Sequence, residues 1–305
     1  MDVTMIPFAE GEAKLSWAGL LAAFEAGHRL PRAEIGDTFL YRDPDTLLSR
    51  AAWIDGMGLA VKSATIFPGN KAAGKPMVNG AVNLYSDHDG TLEAIVDFHL
   101  VTKWKTAGDS LLSASKLARK DARNFLIVGA GTVGRSMREA YAAIFPAAEF
   151  TVWNRSPAAA RAMAAEYPGM KVAEDLEAAV GAAEVICCAT MASEPVIEGA
   201  WLRPGQHLDL IGAYRPDMRE VDDEAMRRAR VFVDSYATTL EHIGELIFPL
   251  QSGALKREEI VADYYDLGAF RRQSEDEITI AKNGGGAHLD LMTSRYVLEA
   301  WRAGS

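Results

Sequence analysis

The stretch that decides the fold runs from Phe125 to Gly134 and reads Phe-Leu-Ile-Val-Gly-Ala-Gly-Thr-Val-Gly. Its four leading apolar residues are typical of a strand buried on both faces of a parallel sheet, and a helical pattern follows to about Phe145. Gly129 permits a tight turn, Gly131 lets a pyrophosphate approach the backbone, and Gly134 allows close helix packing. The stretch predicts a strand, a turn and a helix whose N-terminus faces phosphates. The predicted phosphate-binding residues are Gly129, Gly131, Thr132, Val133 and Gly134.

The residues after this stretch alternate between short apolar runs and helical segments. Strands are predicted at residues 150–153, 171–172, 185–189, 207–211 and 231–233, and helices over residues 158–167 and 175–181. Strands that alternate with helices form right-handed crossovers and therefore a parallel sheet. The sequence thus predicts an α/β fold with a Rossmann dinucleotide-binding domain. A glycine-rich turn that binds no ligand is the alternative.

The residues before position 115 have a different pattern. Apolar segments at residues 38–41, 58–67 and 81–85 are separated by turn clusters, and helical patterns cover residues 17–28 and 101–119. This mixture predicts a separate α+β domain, and 305 residues agree with two domains of roughly 150 residues each. A last helix, over residues 290–301, could return to the first domain.

Composition excludes several classes of protein. The 42 acidic and 32 basic residues give a net charge of −10, which argues against a general nucleic-acid surface but allows one local basic pocket. The two cysteines, Cys187 and Cys188, are adjacent, which disfavours a disulfide and gives no metal-ligand spacing. No apolar run approaches ~18 residues, and the N-terminus lacks a secretory pattern. We therefore expect a soluble cytoplasmic protein with no metal, membrane or nucleic-acid partner.

The end of the second predicted strand decides which dinucleotide binds. A carboxylate about 20 residues after the glycines would accept the ribose hydroxyls of NAD, but the segment here reads Trp153-Asn154-Arg155-Ser156. Arg155 can pair with a 2′-phosphate, and Asn154 and Ser156 can donate hydrogen bonds. These residues predict a preference for NADP(H), with NAD(H) still possible. A solvated arginine in a loop is the alternative for Arg155.

Four further segments share a second signature. They are residues 61–70 (Val-Lys-Ser-Ala-Thr-Ile-Phe-Pro-Gly-Asn), 212–222, 278–285 and 287–290. In this order and spacing, and together with the glycine turn, they resemble the ornithine cyclodeaminase/mu-crystallin family. The motifs are specific for the family but not for one reaction. The family includes ornithine cyclodeaminases, alanine dehydrogenases, ketimine and pyrroline-2-carboxylate reductases, and members that mainly bind NADPH.

The resemblance implies an organisation of the whole chain. It assigns residues 1–114 and 287–305 to a substrate-binding and dimerisation domain, and residues 115–286 to an NAD(P)-binding Rossmann domain. It also implies a homodimer in which two substrate domains form a shared β-barrel.

The resemblance also implies residues that bind a substrate carboxylate. Lys62 matches the family lysine beside that carboxylate, and it lies in an apolar strand, where an unpaired ammonium is costly. Lys105 replaces the family's clamping arginine, so the charge is kept but the planar fork is lost. A further family arginine is best matched by Arg32, with Arg42 and Arg50 as remaining candidates. Surface or solvated roles are the alternatives for both lysines.

Two departures from the family pattern bear on the reaction. The cyclodeaminases have a catalytic aspartate where this chain has Tyr214, and a glutamate where it has Ser49. A tyrosine, with an ordinary pKa near ~10, cannot replace a carboxylate in ornithine cyclisation, although it can donate a hydrogen bond or pack in the pocket wall. We therefore predict an NAD(P)H-dependent oxidoreductase that acts on the C=N or C–N bond of an α-imino or α-amino acid, with Lys62 orienting the carboxylate and assisting proton delivery. An ornithine cyclodeaminase and an NADPH-binding protein without turnover are the alternatives.

Two more residues are implied on the nucleotide side. Thr190 matches a family threonine that lines the cofactor cleft, and Gly285 matches a late glycine near the nicotinamide. The run of glycines at residues 284–286 can also be a flexible turn before the last helix. The side chain of the substrate stays open, because pyrroline-2-carboxylate, piperideine-2-carboxylate and pyruvate with ammonia present the same carboxylate-imine head.

Overall fold

The computed structural model describes residues 3–304 and divides the chain into two compact units. Unit one is Met1–Lys105 with Gly285–Ser305, and unit two is Thr106–Gly284. Met1, Asp2 and Ser305, which the predicted first domain includes, lie outside the described residues. The sequence predicts domain boundaries after residues 114 and 286, whereas the contacts divide the chain after Lys105 and Gly284. Because a single long helix spans the first division, the helical pattern there contains no boundary signal.

Thirteen strands are formed by the described residues. They are β1 (Thr4–Ile6), β2 (Glu34–Arg42), β3 (Asp45–Ile54), β4 (Gly58–Ile66), β5 (Val78–Tyr85), β6 (Leu92–Asp97), β7 (Asn124–Val128), β8 (Glu149–Trp153), β9 (Lys171–Val172), β10 (Val185–Cys188), β11 (His207–Leu210), β12 (Ala229–Val233) and β13 (Ile278–Lys282).

The same residues form ten α-helices. They are α1 (Phe8–Glu12), α2 (Trp17–Gly27), α3 (Phe98–Leu117), α4 (Thr132–Ile144), α5 (Pro157–Glu166), α6 (Leu176–Ala182), α7 (Asp223–Arg228), α8 (Tyr236–Thr239), α9 (Gly244–Ser252) and α10 (Ala287–Ala303). Between residues 3 and 304, no helix is long and apolar enough to cross a membrane.

Unit one is built on a six-stranded sheet in the order β1-β6-β5-β4-β3-β2. Strands β2 to β6 are antiparallel to their neighbours, and β1 pairs in parallel with β6. Burial alternates along β4, so that Ala60, Lys62 and Ala64 lie on one buried face. Helix α10 packs against α2, β3 and β4, which places the last helix of the chain on this sheet.

Unit two is built on a seven-stranded parallel sheet in the order β12-β13-β11-β10-β7-β8-β9. Strand β10 is buried along its whole length and includes both cysteines, whose thiols are free. From β7 the chain adds β8 and β9 on one side of the sheet. It then returns to the other side of β7, where β10 begins the second half of the sheet, so the strand order reverses between β7 and β10. Such a reversal at the carboxyl ends of parallel strands is where doubly wound sheets bind dinucleotides. The predicted α/β fold with a Rossmann domain is confirmed.

Candidate active site

The glycine turn between β7 and α4 has the geometry of a phosphate cradle. Gly129 has a φ of +117°, and a Cβ built on it would lie 2.6 Å from the carbonyl oxygen of Ala189. A Cβ on Gly134 would collide with the carbonyl oxygen of Gly129. At Gly131, by contrast, an added Cβ would meet no atom within 4 Å, and no side chain caps the helix that starts after it. The turn is therefore tight on its protein side and open at the helix N-terminus, which fits a pyrophosphate.

The three predicted residues at the end of β8 differ in which of their polar groups are already bonded within the chain. The Oδ1 atom of Asn154 accepts from the backbone N–H of Ala130 at 3.0 Å, and its Nδ2 donates to the carbonyl of Ser156 at 3.1 Å. Asn154 therefore ties β8 to the glycine turn. The hydroxyl of Ser156 does not cap α5. Arg155 is exposed, and within residues 3–304 its guanidinium makes no hydrogen bond or ion pair.

Thr190, just after β10, is held by a buried carboxylate. Its backbone N–H and its hydroxyl both donate to Oε1 of Glu220, at 2.7 and 2.8 Å. The other oxygen of Glu220 accepts from the backbone N–H groups of Gly212 and Ala213, at 2.8 and 3.3 Å. A single carboxylate thus fixes the chain beyond two adjacent strands, β10 and β11.

Two further charged groups are buried around Glu220. Glu245 accepts from the backbone N–H of Glu220 at 2.7 Å, and burial together with the charge of Glu220 raises the pKa of Glu245 to about 7. The ammonium of Lys282 uses all three of its N–H bonds, and burial lowers the pKa of this lysine. Its acceptors are the carbonyl oxygens of Leu210 (2.8 Å), Ala213 (2.7 Å) and Asn283 (2.9 Å). We call Glu220, Glu245 and Lys282 the acidic cluster.

Tyr214 follows β11 and is exposed. Its side chain keeps 57% of its surface accessible in the single chain, and the guanidinium of Arg215 lies 5.6 Å from the centre of its ring. No carboxylate occupies this position, so the cyclodeaminase aspartate has no counterpart here.

Lys62 in unit one is buried beside a carboxylate that sequence reasoning left without a role. Its Nζ donates to Oδ1 of Asp290, on α10, at 2.9 Å and lies 4.7 Å from the ring centre of Phe98. Burial lowers the pKa of Lys62 to about 8; Asp290 opposes this effect and Lys105 adds to it. Burial alone would raise the pKa of Asp290, but the neighbouring cations lower it below its ordinary value. Lys62 can therefore hold or release a proton near neutral pH.

Lys105 and Arg50 meet at the carbonyl oxygen of Gly285. Lys105 Nζ donates to that oxygen at 2.8 Å and lies 4.0 Å from Oδ1 of Asp290, while Arg50 Nη1 donates to it at 3.2 Å. Arg50 also lies directly opposite Lys62 in the antiparallel register of β3 and β4. Gly285, predicted near a nicotinamide, thus contributes its carbonyl to this group of cations.

The charges of this group do not balance. Arg50 binds the carboxylate of Asp37 through two nitrogens, with Nη2 at 2.9 Å, and Asp290 faces both lysines. Among the described residues, Lys62 and Lys105 share the single carboxylate of Asp290, so this pair of lysines keeps one positive charge in excess. We call Arg50, Lys62, Lys105 and Asp290 the cationic cluster. One monoanionic ligand, such as a single carboxylate, would neutralise it.

The three candidate arginines differ in position. Arg50 is the one that the structure brings beside Lys62. Arg42 pairs with Asp45 at the turn between β2 and β3, at 2.6 Å. Arg32 is exposed and lies in the segment between α2 and β2. The structure thus brings Arg50 beside Lys62, while carboxylate binding by Arg32 stays a prediction.

Sequence reasoning assigned no role to Asp290, Glu220 or Glu245. The only signal for the first two is that each lies in a segment that resembles the family, residues 287–290 and 212–222. Glu245 also lies in a segment that resembles the family, but its bonding partners are backbone N–H groups, so the sequence predicts no role for it.

Comparison with known proteins places these features in context. The family model "Ornithine cyclodeaminase/mu-crystallin family" matches residues 52–305. A Delta(1)-pyrroline-2-carboxylate reductase of Paracoccus denitrificans is 51% identical over 300 residues, which cover 96% of this chain and 95% of that protein.

Solved structures show the same architecture. The Delta(1)-pyrroline-2-carboxylate reductase of Thermococcus litoralis, in complex with NADH and L-proline, matches with a TM-score of 0.90 and 25% identity, over 99% of this chain and 98% of that one. An archaeal alanine dehydrogenase dimer with bound NAD matches with a TM-score of 0.89 and 25% identity, over 100% of this chain and 97% of that one.

Proposed function

The chain belongs to the ornithine cyclodeaminase/mu-crystallin family, and from that premise we propose that it reduces Δ1-pyrroline-2-carboxylate to proline with NADPH as the preferred reductant. It is an NAD(P)-dependent oxidoreductase of the C=N bond of α-imino acids. The substrate and the choice of NADPH are the finer parts of the proposal.

The cationic cluster is the observation on which the proposal rests. Lys62 is buried and makes one hydrogen bond, to Asp290, among the described residues. Its other two N–H bonds are therefore available to an acceptor. A buried ammonium with unused donors and an excess positive charge around it is costly unless an anion completes the site. An α-imino acid supplies that anion through its carboxylate.

The chain's own residues position the substrate and handle its proton. The dinucleotide, when bound, supplies the hydride. Lys62, Lys105 and Arg50 bind the carboxylate, which fixes the orientation of the adjacent C=N carbon. Reduction also adds one proton to the imine nitrogen as the C=N bond becomes a C–N bond. Lys62, with a pKa of about 8, holds that proton at neutral pH, and Asp290 orients its Nζ atom.

The preference for NADPH rests on the end of β8. Arg155 is exposed and unpaired within residues 3–304, the hydroxyl of Ser156 does not cap α5, and no carboxylate ends the strand. These groups suit a 2′-phosphate. We expect Arg155→Ala to raise the KM for NADPH about tenfold and to leave the KM for NADH unchanged. Equal efficiency with NADH and NADPH in the unmodified enzyme would contradict this part of the proposal.

A homodimer belongs to the same proposal. Strand β2 forms one edge of the sheet in unit one, and all nine of its residues are exposed in the single chain. Among them, Phe39, Leu40 and Tyr41 expose 46%, 61% and 76% of their surface. An open, apolar edge of this length is a site for pairing with a second copy. Light scattering of the intact protein tests it, with Leu40→Lys expected to yield monomers.

The location of the protein completes the proposal. The thiols of Cys187 and Cys188 are free and buried, which suits a reducing compartment such as the cytoplasm.

The decisive experiment follows NADPH oxidation with three substrates. These are Δ1-pyrroline-2-carboxylate, Δ1-piperideine-2-carboxylate and pyruvate with ammonium. We expect the first to give the highest kcat/KM and Lys62→Ala to abolish most of that activity. Full activity in Lys62→Ala would remove this lysine from the mechanism.

Two other outcomes would replace the proposal. Release of ammonia from ornithine without net consumption of NADPH would indicate a cyclodeaminase, which Tyr214 in place of the aspartate disfavours. Tight binding of NADPH without oxidation by any imino acid would indicate a binding protein.

A further inference from the structure

Thr190 lies at the strand ends where a dinucleotide is expected. It follows β10 by two residues, and β10 is the neighbour of β7 at the point where the strand order reverses. The adenine half of a dinucleotide is bound at β7 and β8 in this fold, so the far side of the reversal faces the nicotinamide half. Thr190 is half-buried.

The contact with Glu220 determines what the hydroxyl of Thr190 can do. That hydroxyl has one proton, and it donates this proton to Oε1 of Glu220 at 2.8 Å. Its remaining hydrogen-bonding capacity is therefore that of an acceptor. The carboxamide of a nicotinamide ring presents an NH₂ group, which is a donor. Without Glu220, the hydroxyl could rotate and present its proton instead.

Both carboxylate oxygens of Glu220 accept hydrogen bonds. Its side chain is fully buried, and four donors converge on its two oxygens. Gly212 is needed for this approach, because a Cβ there would lie 2.5 Å from Oε1 of Glu220 and would collide with the backbone of Thr190. Glu245 fixes the backbone of Glu220 in turn. The carboxylate is rigid and fully committed, as expected of a group that orients another.

We propose that Glu220 is a positioning residue that orients the Thr190 hydroxyl as a hydrogen-bond acceptor for the nicotinamide carboxamide. The proposal rests on the proposed function only in requiring that a nicotinamide dinucleotide binds. It predicts that damage at either residue weakens recognition of the nicotinamide half and leaves recognition of the adenine half intact.

The test compares two ligands by direct binding. NADPH contains the nicotinamide, and 2′-phospho-ADP-ribose is the same molecule without it. The variants are Thr190→Val, Thr190→Ser and Glu220→Gln. The matched control is Glu184→Gln, because Glu184 also accepts backbone N–H bonds, from Arg123 and Asn124 at 2.8 and 3.0 Å, but at the amino ends of the strands.

Thr190→Val is expected to raise the Kd for NADPH about tenfold, which is the loss of one hydrogen bond. The Kd for 2′-phospho-ADP-ribose stays unchanged, and Thr190→Ser restores NADPH binding. Glu220→Gln produces the same selective loss and lowers kcat more than it raises the KM for the imino acid, because the ring is no longer held in place. Glu184→Gln lowers the thermal midpoint and changes neither Kd.

Two results would overturn the proposal. One is a Thr190→Val variant that binds NADPH as tightly as the unmodified protein. The other is a Glu220→Gln variant that loses both ligands equally, which would indicate a general structural role. Since Thr190 is only half-buried, its variants keep the test valid if Glu220→Gln does not fold. Because binding is measured without substrate, a failure to reduce imino acids would contradict the proposed function and not this inference.

Discussion

The acidic cluster of unit two and the cationic cluster of unit one each contain a buried lysine, and the two lysines are bonded differently. Lys282 donates to three backbone carbonyl oxygens and lies among two carboxylates. Lys62 donates to Asp290 and lies beside two more cations. A buried ion whose bonding capacity is filled by its own chain serves the fold, whereas one with unused donors awaits a ligand. On this comparison we propose that Lys282 contributes to stability and Lys62 to activity.

The largest expected effect is on catalysis in the cationic cluster. We expect Lys62→Met to lower kcat/KM for imine reduction about 1000-fold, because both the carboxylate contact and the proton donor are lost. The measurement is steady-state NADPH oxidation, with Lys75→Met as the matched control on an exposed lysine of the same unit. A loss of less than about tenfold would break the distinction between the two lysines.

The second effect is on stability in the acidic cluster. Lys282→Met leaves Glu220 and Glu245 without their cation, and an uncompensated buried charge costs about 3 kcal/mol. We expect the free energy of unfolding in urea to fall by that amount. Lys62→Met is expected to lose less, because Asp290 still faces Lys105 at 4.0 Å. The reverse order of the two stabilities would contradict the comparison.

The third effect is a pH dependence with a defined sign. The proposed mechanism needs the protonated form of Lys62, so kcat/KM is expected to fall as pH rises through about 8, by about tenfold per pH unit beyond it. Asp290 raises the pKa of Lys62, so Asp290→Asn moves this limb to lower pH. Lys105 lowers that pKa, so Lys105→Met moves the limb to higher pH. Shifts in the same direction would show that another group titrates.

The smallest expected effect concerns the planar guanidinium group of Arg50. Arg50→Lys keeps the charge but loses the two-nitrogen geometry, and we expect the KM for the imino acid to rise about fivefold with kcat nearly unchanged. Arg42→Lys is the matched control at the turn between β2 and β3. Equal effects of the two variants would remove Arg50 from carboxylate binding.

The sequence predicts the fold of unit two better than that of unit one, for a physical reason. Strands such as β7 and β10 are buried on both faces and appear as plain apolar runs. The sequence does not predict strand β3, because Arg50 lies on the same face as the buried Ala52 and Ile54, where alternation would require an apolar residue. Strand β2 was predicted only over residues 38–41, because an edge with no buried residue has no alternation to read. The residues of β13 belong to a family motif, but the sequence does not predict a strand there, because the segment ends in a lysine, Lys282, that is buried.

The candidate site shows the same division. The residues of the glycine turn and Lys62 can be found from local pattern and from resemblance to the family. Asp290 cannot be found as the partner of Lys62, because 228 positions separate the two residues. Glu220 accepts hydrogen bonds mainly from backbone N–H groups. Because every sequence contains such groups, no residue pattern predicts its role. Charged pairs brought together by the fold are what the sequence leaves undetermined.

The two neighbouring cysteines of β10 have a practical consequence. Both thiols are buried, burial raises the pKa of each well above its ordinary value, and the chain contains no other cysteine. A thiol in that state does not react with alkylating reagents until its strand is exposed. The rate at which the native protein is alkylated would therefore report the unfolding of unit two alone, because unit one contains no cysteine. The two cysteines thus form a built-in chemical probe for the unfolding of one of the two units.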